Sequence, residues 1–467
     1  MARGSTHCGR GRAKKKSTRP APALRPLLRC SDQGSPVALR SDMLGLEGDR
    51  WVEPFLDANR LQLGRLGIRT EVQARRGIQI LLHPGNRIGA VPLLSPSTRR
   101  VVAGLMVEPR FKWTALGAVF QSIGFEIEPT IGGAPQVPGS AREVPPWLLA
   151  APVLRRIEAL LAHQRRGFIQ RQEERTAPRG QIEWHRWSTR NVPNGKWTTF
   201  PCRFPDPAND PELAAAVRWT LHRLREELGT VSDALVGRLL VEKTLDLDVL
   251  VGSGPSLPPR SGQFSGESAF IAEAVEAMGW VAEERGLGGS RALDGLAWDV
   301  NIDEIWEAWV TTFFTALAPT LGLRSQQRGT MRRLNWQGGL QSMGHLAPDM
   351  AMHGLDRHVW VDAKYKSHLN LLARHGWTGL GETTRDAHRA DLHQALAYSS
   401  LVPDDQVDTI LVYPQLGDDG QRRPFATSTF TQGRRRIRLI LGGLPFGFRG
   451  PAHREEALSR WREALAV

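Results

Sequence analysis

Hydrophobic positions along the chain change their period twice. Over 62–140, apolar residues come in short runs broken by turn residues. Examples are 78–82 ahead of Pro84-Gly85-Asn86 and 101–107 ahead of Glu108-Pro109-Arg110, and both predict strands. One helix is expected inside this stretch, at 114–123, and Gly132-Gly133-Ala134-Pro135 closes it. From Pro146 the spacing turns helical, with helices predicted over 149–164, 211–228 and 232–247. Between the first two lies 165–204, rich in Arg and aromatic residues, with short strands expected at 181–184 and 198–204. Residues 252–265 read as a Gly/Pro/Ser linker. Gly252-Ser253-Gly254 suggests a phosphate loop, but Leu257 stands where a third glycine is required.

The last section has the strongest pattern. Apolar residues at 302, 305, 306, 309, 310, 313, 314 and 317 form one stripe and predict a helix over 303–317. Strands are expected at 322–326, 331–336, 347–352 and 358–363, then a helix at 384–400 and strands at 409–413 and 435–441. A terminal helix is expected from Arg454. A helix before a run of strands, then helix and strand again, predicts a mixed sheet flanked by helices. The fold class is therefore mixed α/β (α+β). The expected divisions are a disordered basic tail at 1–42, a β-rich domain at 43–140, a mainly helical region at 141–290 and a mixed-sheet domain at 291–467.

Charge adds less than its total suggests. Net charge is +13, but ten Lys/Arg and a single acid, Asp32, within 1–40 put +9 on the tail, leaving +4 for the other residues. A basic patch is thus a weak argument for nucleic acid. A transit peptide, a start codon misplaced ahead of Met43 and a flexible basic arm are all compatible with the tail, and a dispensable tail is the plainest reading. More telling, 53 of the 61 bases are Arg and only eight are Lys, three of them in the tail run Lys14-Lys15-Lys16. A Lys kept in such a chain marks a place where a compact, titratable ammonium is wanted. No run of 18 apolar residues exists, so no membrane span is expected. Cys8, Cys30 and Cys202 form neither a disulfide framework nor a CxxC pattern, which suits a reducing, cytoplasmic setting.

The candidate chemistry lies in HLAPDMAMHGLDRHVWVDAKYK. Asp349 begins one predicted strand and Asp362-Ala363-Lys364 ends the next, so a turn between them brings two carboxylates together. Paired carboxylates suit Mg²⁺ (or Mn²⁺), a hard ion taking oxygen ligands, and the Ala363 carbonyl is within reach of the same ion. Strand alternation puts Asp362 and Lys364 on one face. A metal-bound water beside an ammonium is a nucleophile suited to a phosphodiester. Helical spacing puts Glu307 at the margin of the 303–317 stripe, turned toward the sheet, while Glu304 points to water. Taken singly, each residue has an ordinary reading: Asp349 caps a turn, Asp362 pairs with Arg357, Lys364 is a surface base. Together, with two of the three tyrosines (Tyr365 and Tyr398) in the same blocks, they favour an active site.

Pro348-Asp349, Asp362-x-Lys364 and a helical acid upstream resemble the PD-(D/E)XK nuclease superfamily. The words around them, at 298–310 (WDVNIDEIWEAWV), 346–350 (LAPDM), 361–366 (VDAKYK) and 391–398 (DLHQALAY), are similar in order and spacing to the McrC family. That family is the nuclease subunit of McrBC-type modification-dependent restriction systems, which serve antiviral defence. Looser likeness extends to 104–111 (GLMVEPRF) and 166–209. The resemblance implies that Asp349, Asp362, Ala363 and Glu307 hold Mg²⁺ and that Lys364 orients or activates water. It places Gln394 on the flanking helix with Asp391 and Tyr398 on its side, and Tyr365, Lys366 and Tyr398 near DNA. It departs at Ala347, where the family often has Arg, and at Trp306, which replaces a usual Phe.

The resemblance further implies an endodeoxyribonuclease acting on modified DNA with a McrB-like AAA+ GTPase or ATPase, docked through about 60–140. No GxxxxGK[ST] occurs, so the motor is expected on another chain. Two other functions fit the same sequence: a non-catalytic McrC-like adaptor that stimulates the partner NTPase, and a nuclease acting alone. Trp184, Trp187 and Trp197 suit a nucleic-acid surface and an Arg-rich solvated face equally well. The thirteen histidines form no HxxxH or HExxH motif, and His345, His353 and His393 read as surface or packing residues.

Overall fold

The computed structural model describes residues 25–45, 50–74, 77–138, 143–163, 167–208, 210–229, 234–259, 269–282, 287, 294–327, 332–333, 345–415 and 425–466. The N-terminal part holds β1 (Leu27–Ser31), β2 (Val37–Arg40), α1 (Val52–Arg65), β3 (Arg69–Gln73), β4 (Gln79–His83), β5 (Arg87–Leu94), β6 (Val101–Glu108), α2 (Lys112–Ser122) and β7 (Thr130–Val137). The middle part holds α3 (Trp147–His163), β8 (Gly167–Arg175), β9 (Gln181–Ile182), a single turn α4 (Trp184–Arg186), β10 (Phe200–Ala208), α5 (Pro211–Gly229), α6 (Ala234–Val251) and α7 (Ala269–Ala282). β8, β10 and β9 form a three-stranded antiparallel sheet, and α3 packs on α6 and α7.

Two boundaries differ from expectation. Residues 25–42 are not tail: β1 pairs in parallel with β6, and β2 pairs with β4 in a sheet ordered β2-β4-β3. Likewise β11 (Gly295–Asn301), expected in the C-terminal domain, lies in the N-terminal five-stranded sheet, ordered β1-β6-β5-β11-β7. Its Asp299 is buried and ion-paired by Arg65 of α1 and Arg87 of β5. The expected tail at 1–24, part of the linker (260–265) and most of the strand expected over 331–336 lie outside the described residues.

β11 runs without a break into α8 (Ile302–Leu317). Asn301 ends the strand and caps the helix, its side chain accepting from the Asp303 N–H at 3.1 Å while its amide donates to Glu304. All eight apolar positions of the predicted stripe are buried. They pack beneath the C-terminal sheet, where the indole N–H groups of Trp306 and Trp309 donate to the carbonyls of Val412 and Pro445. Two large, fully buried rings whose polar atoms are satisfied fix the helix against that sheet.

The remaining elements are β12 (Arg324–Gln327), a two-residue pair β13 (Arg332–Arg333) and β14 (His345–Leu346), β15 (Met350–His353), β16 (Arg357–Ala363), α9 (His368–His375), α10 (Glu382–Ser399), β17 (Gln406–Gln415), β18 (Phe425–Gln432), β19 (Arg435–Pro445) and α11 (Pro451–Leu465). The sheet order is β12-β15-β16-β17-β19-β18, with β16, β17 and β19 parallel and the outer strands antiparallel. A parallel step from β16 to β17 needs a long crossover, and α9 with α10 supplies it. The fold is thus the expected mixed α+β arrangement. Among the described residues no helix is long and apolar enough to cross a membrane.

Candidate active site

Asp349 lies in the turn entering β15, and Asp362-Ala363 ends β16. Antiparallel pairing puts Met350 opposite Val361, so the two carboxylates meet at one end of the strand pair. Asp349 is fixed by the Ala363 N–H, which donates to its Oδ2 at 2.7 Å. Asp362 is almost wholly buried, and the Lys364 ammonium stands 2.6 Å from its Oδ2. Alternation along the strand brings these two to one face, as expected. The alternative pairing of Asp362 with Arg357 fails, because Arg357 reaches Asp408 of β17 instead.

α10 closes the other side. Gln394 accepts from the Lys364 ammonium at 2.9 Å and donates to the Tyr398 hydroxyl at 2.6 Å. That hydroxyl lies 3.4 Å from Asp362 Oδ1 and 3.3 Å from the Ala347 carbonyl. Glu307, on the α8 face turned to the sheet, lines the same cleft, as do Asp349, Asp362, Ala363, Lys364, Lys366, Gln394 and Tyr398. The cleft encloses about 650 Å³.

Its electrostatics follow from crowding of like charge. Burial, then the neighbouring Asp362 and Glu307 carboxylates, push Asp349 up to about 7. Burial also raises Asp362, opposed by Lys364. Buried carboxylates this close favour retention of a proton or the arrival of a cation. Asp349, Asp362, Glu307 and the Ala363 backbone offer oxygen alone, the donor set that Mg²⁺ prefers, and the raised Asp349 is the strain such an ion relieves. The residues therefore fit the metal implied by the resemblance.

Two expected DNA contacts are corrected. Tyr365 lines the cleft, but its side chain is 4% exposed and its hydroxyl donates to Asp32 Oδ2 at 2.6 Å. A ring buried in that position cannot meet a phosphate backbone. Tyr398 is also buried, at 1% exposure, and only its hydroxyl reaches the carboxylates, so it positions Asp362 and Gln394. Lys366 stays at the rim, its ammonium 2.6 Å from Asp391.

Sequence reasoning missed the wall opposite α10. Arg69 of β3, His83 of β4 and the turn residues Gln33 and Asn86, all from the N-terminal part, line the cleft. Asp303 lines it too, raised by burial despite the hydrogen bond from Asn86. Behind Tyr365, Asp32 accepts from the Arg110 N–H at 2.7 Å, and the Arg110 guanidinium lies over the Tyr365 ring. Phe111 stacks on Phe446, which stacks on Trp306. The only available signal was the 104–111 block, which contains Arg110 and Phe111. Trp184 and Trp197 are well exposed, whereas Trp187 stacks on Phe200.

The site is thus a buried acid pair with a lysine and a glutamine, set at one end of the strands of a mixed six-stranded sheet. Residues 289–414, which span α8 and most of the site, match the family model described as McrBC 5-methylcytosine restriction system component. Over that stretch, about a quarter of its length, the chain is similar to components of McrBC systems. No curated protein matches the chain. Two solved structures show overall likeness. One is a refined half-complex from a tetradecameric assembly of Thermococcus gammatolerans McrB AAA+ hexamers with bound McrC. It is 14% identical with a TM-score of 0.44, over 94% of this chain and all of that one. The other is the Thermococcus gammatolerans McrBC complex, 11% identical with a TM-score of 0.27, over 62% of this chain and 88% of that one.

Proposed function

We propose that this chain is the Mg²⁺-dependent DNA endonuclease subunit of a McrBC-type restriction system, a McrC-type protein working with a separate McrB-type AAA+ NTPase. One observation supports it above the others: Asp349, Asp362 and Lys364 converge in one cleft, with Asp349 driven up to about 7 by the charges around it. When bound, the ion supplies charge neutralisation at a phosphodiester. The chain's own residues do the rest. Lys364, held by Asp362 and Gln394, presents an ammonium that orients a water or a phosphate oxygen. Tyr398 keeps the Asp362 carboxylate facing the cleft, and Lys366 extends positive charge along its rim. A separate motor is required because the sequence has no P-loop. The family description supports modified DNA as substrate.

The test is Asp362→Ala in the complex with the McrB-type NTPase. Loss of cleavage with NTPase stimulation retained supports the nuclease. Unchanged cleavage rejects it and leaves the adaptor reading. Mg²⁺-dependent cleavage by the chain alone, without nucleotide or partner, supports a nuclease that acts independently.

A further inference from the structure

A second cluster sits behind the nuclease centre, at the junction of α9, α10 and β17. His368 is the first residue of α9, and His388 and Asp391 lie one turn apart on the inner face of α10. One ligand atom from each lies within 4.8 Å of the others, a grouping of side chains that stands alone among the described residues. His388 is 2% exposed and Asp391 4%. Sequence placed Asp391 beside Gln394 but did not join it to His368 and His388, because the three come from two helices rather than one motif.

The polar atoms of the cluster are incompletely satisfied. Lys366 takes Asp391 Oδ1, and the Tyr413 hydroxyl lies 3.4 Å from His388 Nδ1. That leaves Asp391 Oδ2 facing His368 Nδ1 at 3.5 Å. Both atoms are shut off from water, and beyond this long contact with each other neither has a partner of good hydrogen-bond geometry. Buried polar atoms left this way are costly and call for a partner. Two donors bound to one tetrahedral zinc stand roughly 3.3 Å apart, given bond lengths near 2.0–2.1 Å. The 3.5 Å between His368 Nδ1 and Asp391 Oδ2 is compatible with two ligands sharing one ion, and the third ligand atom lies within 4.8 Å of both.

We propose that His368, His388 and Asp391 form a second metal site, distinct from the Mg²⁺ centre, that takes a borderline transition ion such as Zn²⁺. Two imidazoles and one carboxylate select such ions over Mg²⁺, which prefers oxygen alone. Asp391 and Gln394 are one turn apart on α10, so an ion here ties α9 to the helix that holds Lys364 through Gln394. Its role is to fasten the crossover between β16 and β17. This inference goes beyond the nuclease reading and does not depend on it.

The test strips the full-length chain of metal and titrates it with Co²⁺, followed by displacement with Zn²⁺. One equivalent of Co²⁺ with a visible d–d absorption band, displaced by Zn²⁺, is expected. The band persists in Asp362→Asn, which changes a ligand of the Mg²⁺ centre and none of the second site. His368→Gln and His388→Gln each weaken binding by at least about 100-fold, more than loss of a supporting contact around a metal ligand costs. Far-ultraviolet circular dichroism checks the fold of each variant. If the buried His388→Gln does not fold, the partly exposed His368→Gln decides. No band, an unchanged affinity in His368→Gln, or loss of the band in Asp362→Asn overturns the proposal.

Discussion

Replacing Asp349 with Asn removes a charge that the fold opposes. Its carboxyl rises from an ordinary 3.8 to about 7, chiefly through burial and then through Asp362 and Glu307. Each pKa unit is worth about 1.36 kcal/mol, which sets a ceiling near 4 kcal/mol on the destabilisation carried by this one ionised group. Asn keeps the carbonyl oxygen that accepts from the Ala363 N–H, so the hydrogen bond need not be lost. An acid raised in the folded state leaves stability intact below its unfolded value and erodes it as pH climbs through the folded one. The variant should thus match wild type near pH 4 and exceed it progressively up to pH 8. We expect a gain of about 2–4 kcal/mol at pH 8, since the coupled Asp362 shares part of the penalty. Urea denaturation of both proteins in EDTA, across pH 4 to 8, measures it. A gain that does not grow with pH, or a loss of stability at pH 8, refutes the reasoning.

Other perturbations probe how the domains are joined. Tyr365→Phe deletes the hydroxyl that donates to buried Asp32 and should cost about 1.5–3 kcal/mol in denaturant unfolding, as bonds to charged groups do. A change below about 0.5 kcal/mol would show that the brace does not matter. Asp408→Ala strands the 7% exposed Arg438 side chain, together with Arg357, and should cost about 3–5 kcal/mol, read as a fall in the denaturation midpoint. Gly442→Ala would drive a methyl into the Trp461 ring and the Phe425 ring, costing about 1–3 kcal/mol on the same assay.

What the sequence revealed depended on how local the signal was. α8 was legible because eight apolar residues at one helical period leave no other solution, and Asn301 marks where it starts. Asp349, Asp362 and Lys364 were legible because strand alternation and a short turn bring them together without help from distant chain. The pairing of β11 with β5 and β7 was not, since a strand carries no mark of its partner when that partner is some 160–210 residues away. β1 was hidden by the charges that surround it. Asp32, the single acid among the first forty residues, was counted as part of a tail, yet it anchors Tyr365 just after β16. The burial of Tyr365 was not legible either, because alternation gives its face but not the Asp32 that its hydroxyl meets.

The central claim concerns Lys364 and its two acids acting as a nuclease. Single-turnover cleavage of modified plasmid DNA by the complex with the McrB-type NTPase, for wild type and Lys364→Met in Mg²⁺ and in EDTA, tests it most directly. The account predicts Mg²⁺-dependent cleavage that falls by at least about 100-fold in Lys364→Met, the size expected for loss of a group placed at a reacting centre. Cleavage by Lys364→Met within about threefold of wild type would contradict it.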